Sequence, residues 1–276
     1  DFGVDDDRTC YIVMELLEGE TLTDRCKRDQ RLDARAALAI TRQVCAALKV
    51  AHQAGFVHRD IKPPNLFLVG DPAAPTVKVL DFGLAKRLAT DSSLTQTGSF
   101  LGSPAYMSPE QITGGEITVA ADIYNVGLVL YRMLTGRPPF TGDVSSAVLV
   151  DHATKPPPSF AAVAPDLTAP PQVEWVVRRC LEKAPRDRFS SAEELDRALA
   201  ACERLVSGAI PSLGLRWEGG ALVMSDGAGP AAPAAAEGSP AGRTWLPWAI
   251  ALGVVGLGLI ALSSAATAAV MWWFLV

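Results

Sequence analysis

The chain has 276 residues, is 49% hydrophobic and carries a formal net charge of −5. That length and apolar content are enough for one sizeable domain with a core and something besides, while the acidic balance leaves no electrostatic footprint for nucleic acid and excludes it as a partner. Five scattered cysteines (Cys10, Cys26, Cys45, Cys180 and Cys202) show no C-x-x-C spacing, which excludes a disulfide framework or zinc site and reads as reduced, packed thiols.

In chain order, Asp1-Phe2-Gly3 reads as a strand or turn with no metal role. Cys10 to Leu17 is an apolar run ending at Glu18-Gly19, expected to be a strand running into a turn. Leu32 to Gln53 is expected to be a helix. Asp33 can cap it, Ala36, Ile40, Val44, Ala47, Leu48 and Ala51 recur at three- and four-residue spacing, and Gly55 can end it. His52, near its end, reads as a histidine satisfied by the helix dipole rather than as a ligand.

His58-Arg59-Asp60-Ile61-Lys62-Pro63-Pro64-Asn65 follows, then Val77-Lys78-Val79-Leu80 and Asp81-Phe82-Gly83. These stretches gather the parts that phosphoryl transfer requires. The Asp60 carboxylate can accept the proton of an attacking hydroxyl, and Lys62 places a fixed positive charge where the transferred group gathers negative charge. Asn65 and Asp81 supply the oxygen ligands that Mg²⁺ prefers.

Thr90, Ser92, Ser93, Thr95, Thr97, Ser99 and Ser103 make the stretch from Asp81 to Glu110 a polar loop. Thr118 to Leu134 is expected to be an apolar helix stopped by Gly136 and Pro138-Pro139, and Pro156-Pro157-Pro158 and Pro170-Pro171 punctuate the helices after it. Ser190 and Glu193 are expected to form a capping box for a helix reaching about Leu205. Ser207 to Arg243, rich in Gly, Ala and Pro, reads as a mostly disordered linker in which Leu213 to Val223 can pair locally. Leu246 to Val276 contains no charged residue and exceeds the roughly 20 apolar residues a membrane span needs. With Trp245, Trp248, Trp272 and Trp273 flanking it, it is expected to be a transmembrane helix.

The H-R-D-x-K-x-x-N pattern, the later D-F-G, and Ser108-Pro109-Glu110 where A-P-E is usual together resemble eukaryotic-type protein kinases of the bacterial receptor-like serine/threonine class. The resemblance covers roughly residues 1 to 205. It implies that Asp60 and Lys62 are catalytic, and that Asn65 and Asp81 hold the metal. Tyr11 to Leu22 resembles the last N-lobe strand and hinge, which makes Met14, Glu15 and Leu17 ATP-binding, with Phe67 counted beside them. The polar loop becomes the activation segment, with Thr95 and Thr97 as phosphorylation sites, Arg59 and Lys86 as the cations that would pair with phosphate, and Ser103 as the small hydroxyl near Asp60 and Lys62. Structural roles fall to His58 behind Phe82, to Glu110 paired with Arg188, and to Asp122 beneath the catalytic loop. Asp1-Phe2-Gly3 repeats the triplet with no catalytic loop before it.

The fold expected is therefore α+β and protein-kinase-like. It comprises a mainly helical C-lobe with only the last N-lobe strands and hinge (1–205), a juxtamembrane linker (206–244) and one transmembrane helix (245–276). No G-x-G-x-x-G and no lysine stand before Lys27, and the chain begins with Asp, so a fragment of a longer kinase, weakly active or inactive alone, is expected. The cofactors implied are ATP and Mg²⁺, or Mn²⁺ in its place. The partners implied are Ser/Thr-containing protein substrates and a homodimer for trans-autophosphorylation, at the inner membrane with the kinase domain cytoplasmic. The competing reading is a membrane-tethered pseudokinase or scaffold, against which the four intact groups Asp60, Lys62, Asn65 and Asp81 argue.

Overall fold

A strand extends only as far as its partner, and the first strands are short for that reason. In a computed structural model that describes residues 2–4, 9–81, 104–209, 215–218 and 221–224, β1 (Phe2–Val4) runs antiparallel to β2 (Cys10–Ile12). Phe2 lies opposite Ile12, so the ladder ends there and residues 13–18 have no regular secondary structure. The strand expected from Cys10 to Leu17 is thus cut to its first three residues. A second antiparallel sheet orders β3 (Gly19–Thr21), β4 (Leu66–Val69) and β5 (Thr76–Val79). Gly19 has φ 156° and lies so close to β4 that a Cβ would stand 2.0 Å from the Leu68 carbonyl oxygen, which only glycine avoids.

The helices hold the core. α1 (Leu22–Asp29) is followed by α2 (Ala34–Gln53), where Asp33 accepts the Ala36 amide at 3.0 Å as N-cap. One face of α2, formed by Ala37, Leu38, Ile40, Val44, Cys45 and Leu48, is at most 3% exposed. Then come α3 (Pro109–Thr113), α4 (Val119–Thr135), α5 (Ser145–Thr154), α6 (Phe160–Val163), α7 (Pro171–Cys180) and α8 (Ala192–Val206). The expected helix from Thr118 to Leu134 is α4, with Thr118 as its N-cap and Gly136, at φ 86°, closing it. It is buried without a break from Ala120 to Tyr131, as a mostly apolar helix must be, with its few polar groups such as Asp122 paired inside. α2 packs on both α4 and α8, and at the second contact Arg42 reaches Asp196 at 2.8 Å and Glu203 at 2.5 Å.

Gly127 lets α4 and α7 approach. A Cβ there would meet the Cys180 Cβ at 2.5 Å and Leu181 Cδ2 at 3.1 Å. Gly127→Ala is expected to destabilise the domain by about 1–3 kcal/mol through overpacking. Urea unfolding reads this directly, and an unchanged midpoint would contradict the close approach.

Two expectations are corrected. The cap of α8 is one residue later than Ser190: Ser191 accepts the Glu194 amide, while the Ser190 amide and hydroxyl both donate to the Glu194 carboxylate. Both serines are used, Ser191 as the cap and Ser190 as a donor to the Glu194 carboxylate. The transmembrane helix is the second correction: no helix among the described residues is long and apolar enough to cross a membrane. α2 has 20 residues but carries Arg35, Arg42 and Lys49, while the more apolar α4 has 17 and spends its surface on the protein core. Residues 245–276, on which the span was expected, lie outside the described residues. β6 (Leu215–Glu218) and β7 (Ala221–Met224) form an antiparallel hairpin within the stretch read as a linker able to pair locally. The chain divides into Asp1–Gly227 and Ala228–Val276, and all of the second unit is outside the described residues.

Candidate active site

The site is built on the loop between α2 and β4, and its backbone is held in an unusual shape. Arg59 has φ 67° and Asp81 φ 53°. Non-glycine residues in the left-handed region are strained and persist only where their surroundings hold them. At Arg59 the holding group is Asp122, wholly buried in the first turn of α4. Its Oδ2 accepts the His58 amide at 2.8 Å and its Oδ1 the Arg59 amide at 2.8 Å. Oδ2 also lies 2.8 Å from His52 Nε2. A buried carboxylate needs such partners, and the helix N-terminus favours its charge as well.

His58 links the loop to Asp81. The Asp60 amide donates to His58 Nδ1 at 3.2 Å, which places the ring proton on Nε2, 2.9 Å from the Leu80 carbonyl it therefore donates to. Burial pushes the His58 pKa below its ordinary value, so the ring is neutral near pH 7 and suited to this bridging role. The Leu80 amide in turn donates to the Asn65 carbonyl at 2.8 Å, so Asn65 and Asp81 are tied to each other through one residue.

The side chains converge on Asp60. Lys62 Nζ lies 2.9 Å from Asp60 Oδ2, with 18% and 20% of the two side chains exposed. Asn65 Nδ2 donates to the Asp60 carbonyl at 2.9 Å and to Asp60 Oδ2 at 3.1 Å. Both amide protons of Asn65 are used inward, which leaves its Oδ1 as the atom able to serve a cation. An amide oxygen and the Asp81 carboxylate make a hard donor set, and among the described residues no group of three His, Cys, Asp or Glu side chains could hold a metal. The residues thus fit a hard divalent cation that takes one or two protein ligands and completes its shell with phosphate and water.

The second wall of the site is bolted to the first. Gln111, on α3, donates through Nε2 to the Arg59 carbonyl at 2.8 Å and accepts the Ser108 amide at 2.9 Å. Glu110 beside it forms a buried two-pronged pair with Arg188, at 2.7 and 2.8 Å.

Met14, Glu15 and Leu17 lie on the irregular stretch 13–18, where Met14 is 73% exposed and Glu15 reaches Lys78 of β5 at 3.2 Å. Phe67 sits on β4 between Thr21 and Lys78 in register. Phe82, Lys86, Thr95, Thr97 and Ser103 lie outside the described residues. Sequence reasoning missed His52 as a partner of Asp122. Its place in the last turn of α2, six residues before His58, was the available signal, but nothing local announces the carboxylate 70 residues away.

Comparison with known proteins points to one family. The sequence pattern of the protein kinase domain family matches residues 3–199. The chain is 41% identical over 186 residues to the serine/threonine-protein kinase PknB of Mycolicibacterium smegmatis, an alignment covering 67% of this chain and 29% of that protein. It is 42% identical over 190 residues to the serine/threonine-protein kinase Pkn1 of Myxococcus xanthus, covering 68% of this chain and 27% of that one. The chain therefore spans less than a third of the length of these curated relatives. Among solved structures, the kinase domain of PknI from Mycobacterium tuberculosis, in a double-mutant form, superposes with a TM-score of 0.55 at 27% identity, over 74% of this chain and 70% of that one.

Proposed function

The chain belongs to the protein kinase domain family, and on that premise we propose that it carries the phosphotransfer site of a serine/threonine protein kinase. The observation that carries the reading is the cluster of Asp60, Lys62 and Asn65, joined through Leu80 to Asp81. The reaction moves the γ-phosphoryl group of ATP to a Ser or Thr hydroxyl of a protein. A P–O bond to ADP breaks, a P–O bond to the acceptor forms, and the hydroxyl proton passes to the Asp60 carboxylate. Lys62 stabilises the charge that gathers on the transferred group. Asn65 and Asp81 would hold Mg²⁺, or Mn²⁺ in its place, which when bound neutralises charge on the phosphates. His58, Asp122 and Gln111 fix the backbone that carries these groups.

Cytoplasmic ATP and the free buried thiols Cys26, Cys45, Cys180 and Cys202 among the described residues support a cytoplasmic place for residues 1–205. Phosphorylation of Thr95 or Thr97 by a second copy, paired by Arg59 and Lys86, is part of the same proposal. The test gives the full-length protein carrying this sequence ATP, a divalent cation and a Ser/Thr-containing protein acceptor. Mass spectrometry is expected to find phosphoserine or phosphothreonine on the acceptor, and phosphate on Thr95 or Thr97 of the enzyme. ATP binding without any transfer would instead favour a pseudokinase and end the proposal.

A further inference from the structure

Among the described lysines, Lys49, Lys62, Lys78 and Lys155 each have a carboxylate oxygen within 3.4 Å, and Lys27 is exposed on α1. Lys183 differs from all of them. It is half-buried on the bend between α7 and the 3-10 turn Pro185–Asp187, and its Nζ donates to the His152 carbonyl at 2.9 Å rather than to a carboxylate. Nζ also stands over two rings of buried residues, 4.6 Å from the Phe140 centroid and 5.7 Å from that of Tyr124. The Arg188 guanidinium lies 4.8 Å from the same Tyr124 centroid, so two cations share one ring.

Ring faces attract a cation, but weakly compared with what an ammonium loses on leaving water. Nearby acidic groups do not make up the difference. Asp151 is held by Lys155 at 2.8 Å, and Glu182 is exposed. His152 brings no charge of its own, since burial, with Lys183 beside it, holds its pKa at about 4. Burial, and after it the Arg188 charge, pushes the Lys183 pKa down to about 8. At neutral pH about a tenth of such an amine is unprotonated, against under about a thousandth for an ordinary lysine. Desolvation among apolar groups and a neighbouring cation are the two conditions that make a lysine nucleophilic, and Lys183 meets both. Its backbone is anchored as well: Arg188 Nη2 donates to the Lys183 carbonyl at 3.0 Å and Nε to the Glu182 carbonyl at 2.7 Å.

We propose that Lys183 is an acyl-acceptor site, modified at Nζ by small activated acyl donors of the thioester or acyl phosphate class. The ammonium loses one proton to water, and the neutral amine attacks the acyl carbon to form an N–C bond. The C–S or C–O bond to the leaving group breaks, thiolate or phosphate departs with the electron pair, and a second proton passes from nitrogen to solvent. The amide product keeps one N–H for the His152 carbonyl, places its acyl end beside Phe140 and Tyr124, and removes a positive charge from beside Arg188. None of this depends on phosphoryl transfer at Asp60.

The test exposes the full-length protein briefly to acetyl-CoA or, in a separate arm, to acetyl phosphate, in buffer and in urea. Mass spectrometry reads the initial acetylation rate of each lysine, with Lys27 as the exposed reference. A less basic amine is also a weaker nucleophile, which cancels part of the gain in neutral form. At about pH 7 in buffer, Lys183 is expected to react at least about fivefold faster than Lys27 in one arm or both, and the reactive arm identifies the donor class. The Lys183 rate should level off above about pH 8 while that of Lys27 keeps rising, and in urea the two rates should converge. No acetylation of Lys183 in either arm, a rate no faster than that of Lys27, an advantage that survives unfolding, or a pH dependence like that of Lys27 would overturn the inference.

Discussion

Replacing Asp60 with asparagine is expected to slow phosphoryl transfer by about 100- to 10,000-fold while leaving the fold in place. Asp60 Oδ2 already faces two donors, Lys62 Nζ at 2.9 Å and Asn65 Nδ2 at 3.1 Å. In Asp60→Asn the amide oxygen can take that position and keep both contacts, so the loop has no reason to move. The other atom of the side chain then becomes an NH₂ group, a donor where the reaction needs an acceptor for the hydroxyl proton. Binding of ATP depends on other groups, so its KM should stay within about twofold, and the loss should fall on kcat. Steady-state kinetics of the full-length protein with a Ser/Thr acceptor, beside a thermal melt, checks both halves. A rate within tenfold of the unmutated protein would remove Asp60 from the role of base, and a collapsed melt would make it a structural residue.

The sequence makes this site legible because His58, Arg59, Asp60, Lys62 and Asn65 fall within eight consecutive residues, and Asp81 follows the two strands β4 and β5. Their chemistry can be read without knowing what surrounds them. α2 is legible for a similar reason: its cap at Asp33, its apolar period and its stop at Gly55 are all local. What holds the site in shape is not local. The amides that Asp122 accepts are 63 and 64 residues away. Such partners become visible only when α4 is placed beneath the loops. Where two adjacent residues carry the same hydroxyl, as Ser190 and Ser191 do at the start of α8, the sequence alone does not say which one caps. The end of β2 at Ile12 likewise depends on its partner, since Ile12 pairs with Phe2, the first residue of β1, although the apolar run continues to Leu17. The transmembrane expectation rested on a long charge-free run and the tryptophans flanking it, whereas the long helices of the described residues bury their apolar faces in protein.

Arg188→Lys is expected to destabilise the domain nearly as much as Arg188→Ala, by about 3–5 kcal/mol, although it keeps the charge. The guanidinium is fully buried and all five of its N–H groups are spoken for. Nε donates to the Glu182 carbonyl at 2.7 Å, Nη1 to Glu110 Oε1 at 2.7 Å and the Ala120 carbonyl at 2.8 Å, and Nη2 to Glu110 Oε2 at 2.8 Å and the Lys183 carbonyl at 3.0 Å. Its flat face lies over the Tyr124 ring, 4.8 Å from the centroid. A lysine has three donors on one atom and cannot span the carboxylate and three backbone carbonyls at once, so buried acceptors are left unpaired. The residue also clamps the start of α3 to the start of α4, the two elements that carry Gln111 and Asp122 to the catalytic loop, and loss of activity should therefore follow loss of the clamp. At about 2–4 °C per kcal/mol for a domain of this size, the melting temperature should fall by about 10 °C. Exchanging the charges, with Glu110→Arg and Arg188→Glu together, is not expected to rescue it, because a carboxylate would then face the carbonyls of Ala120, Glu182 and Lys183. A lysine variant within 1 kcal/mol of the unmutated protein in urea unfolding, or full recovery in the exchanged pair, would show that charge alone, rather than the five-donor fork, holds the two helices.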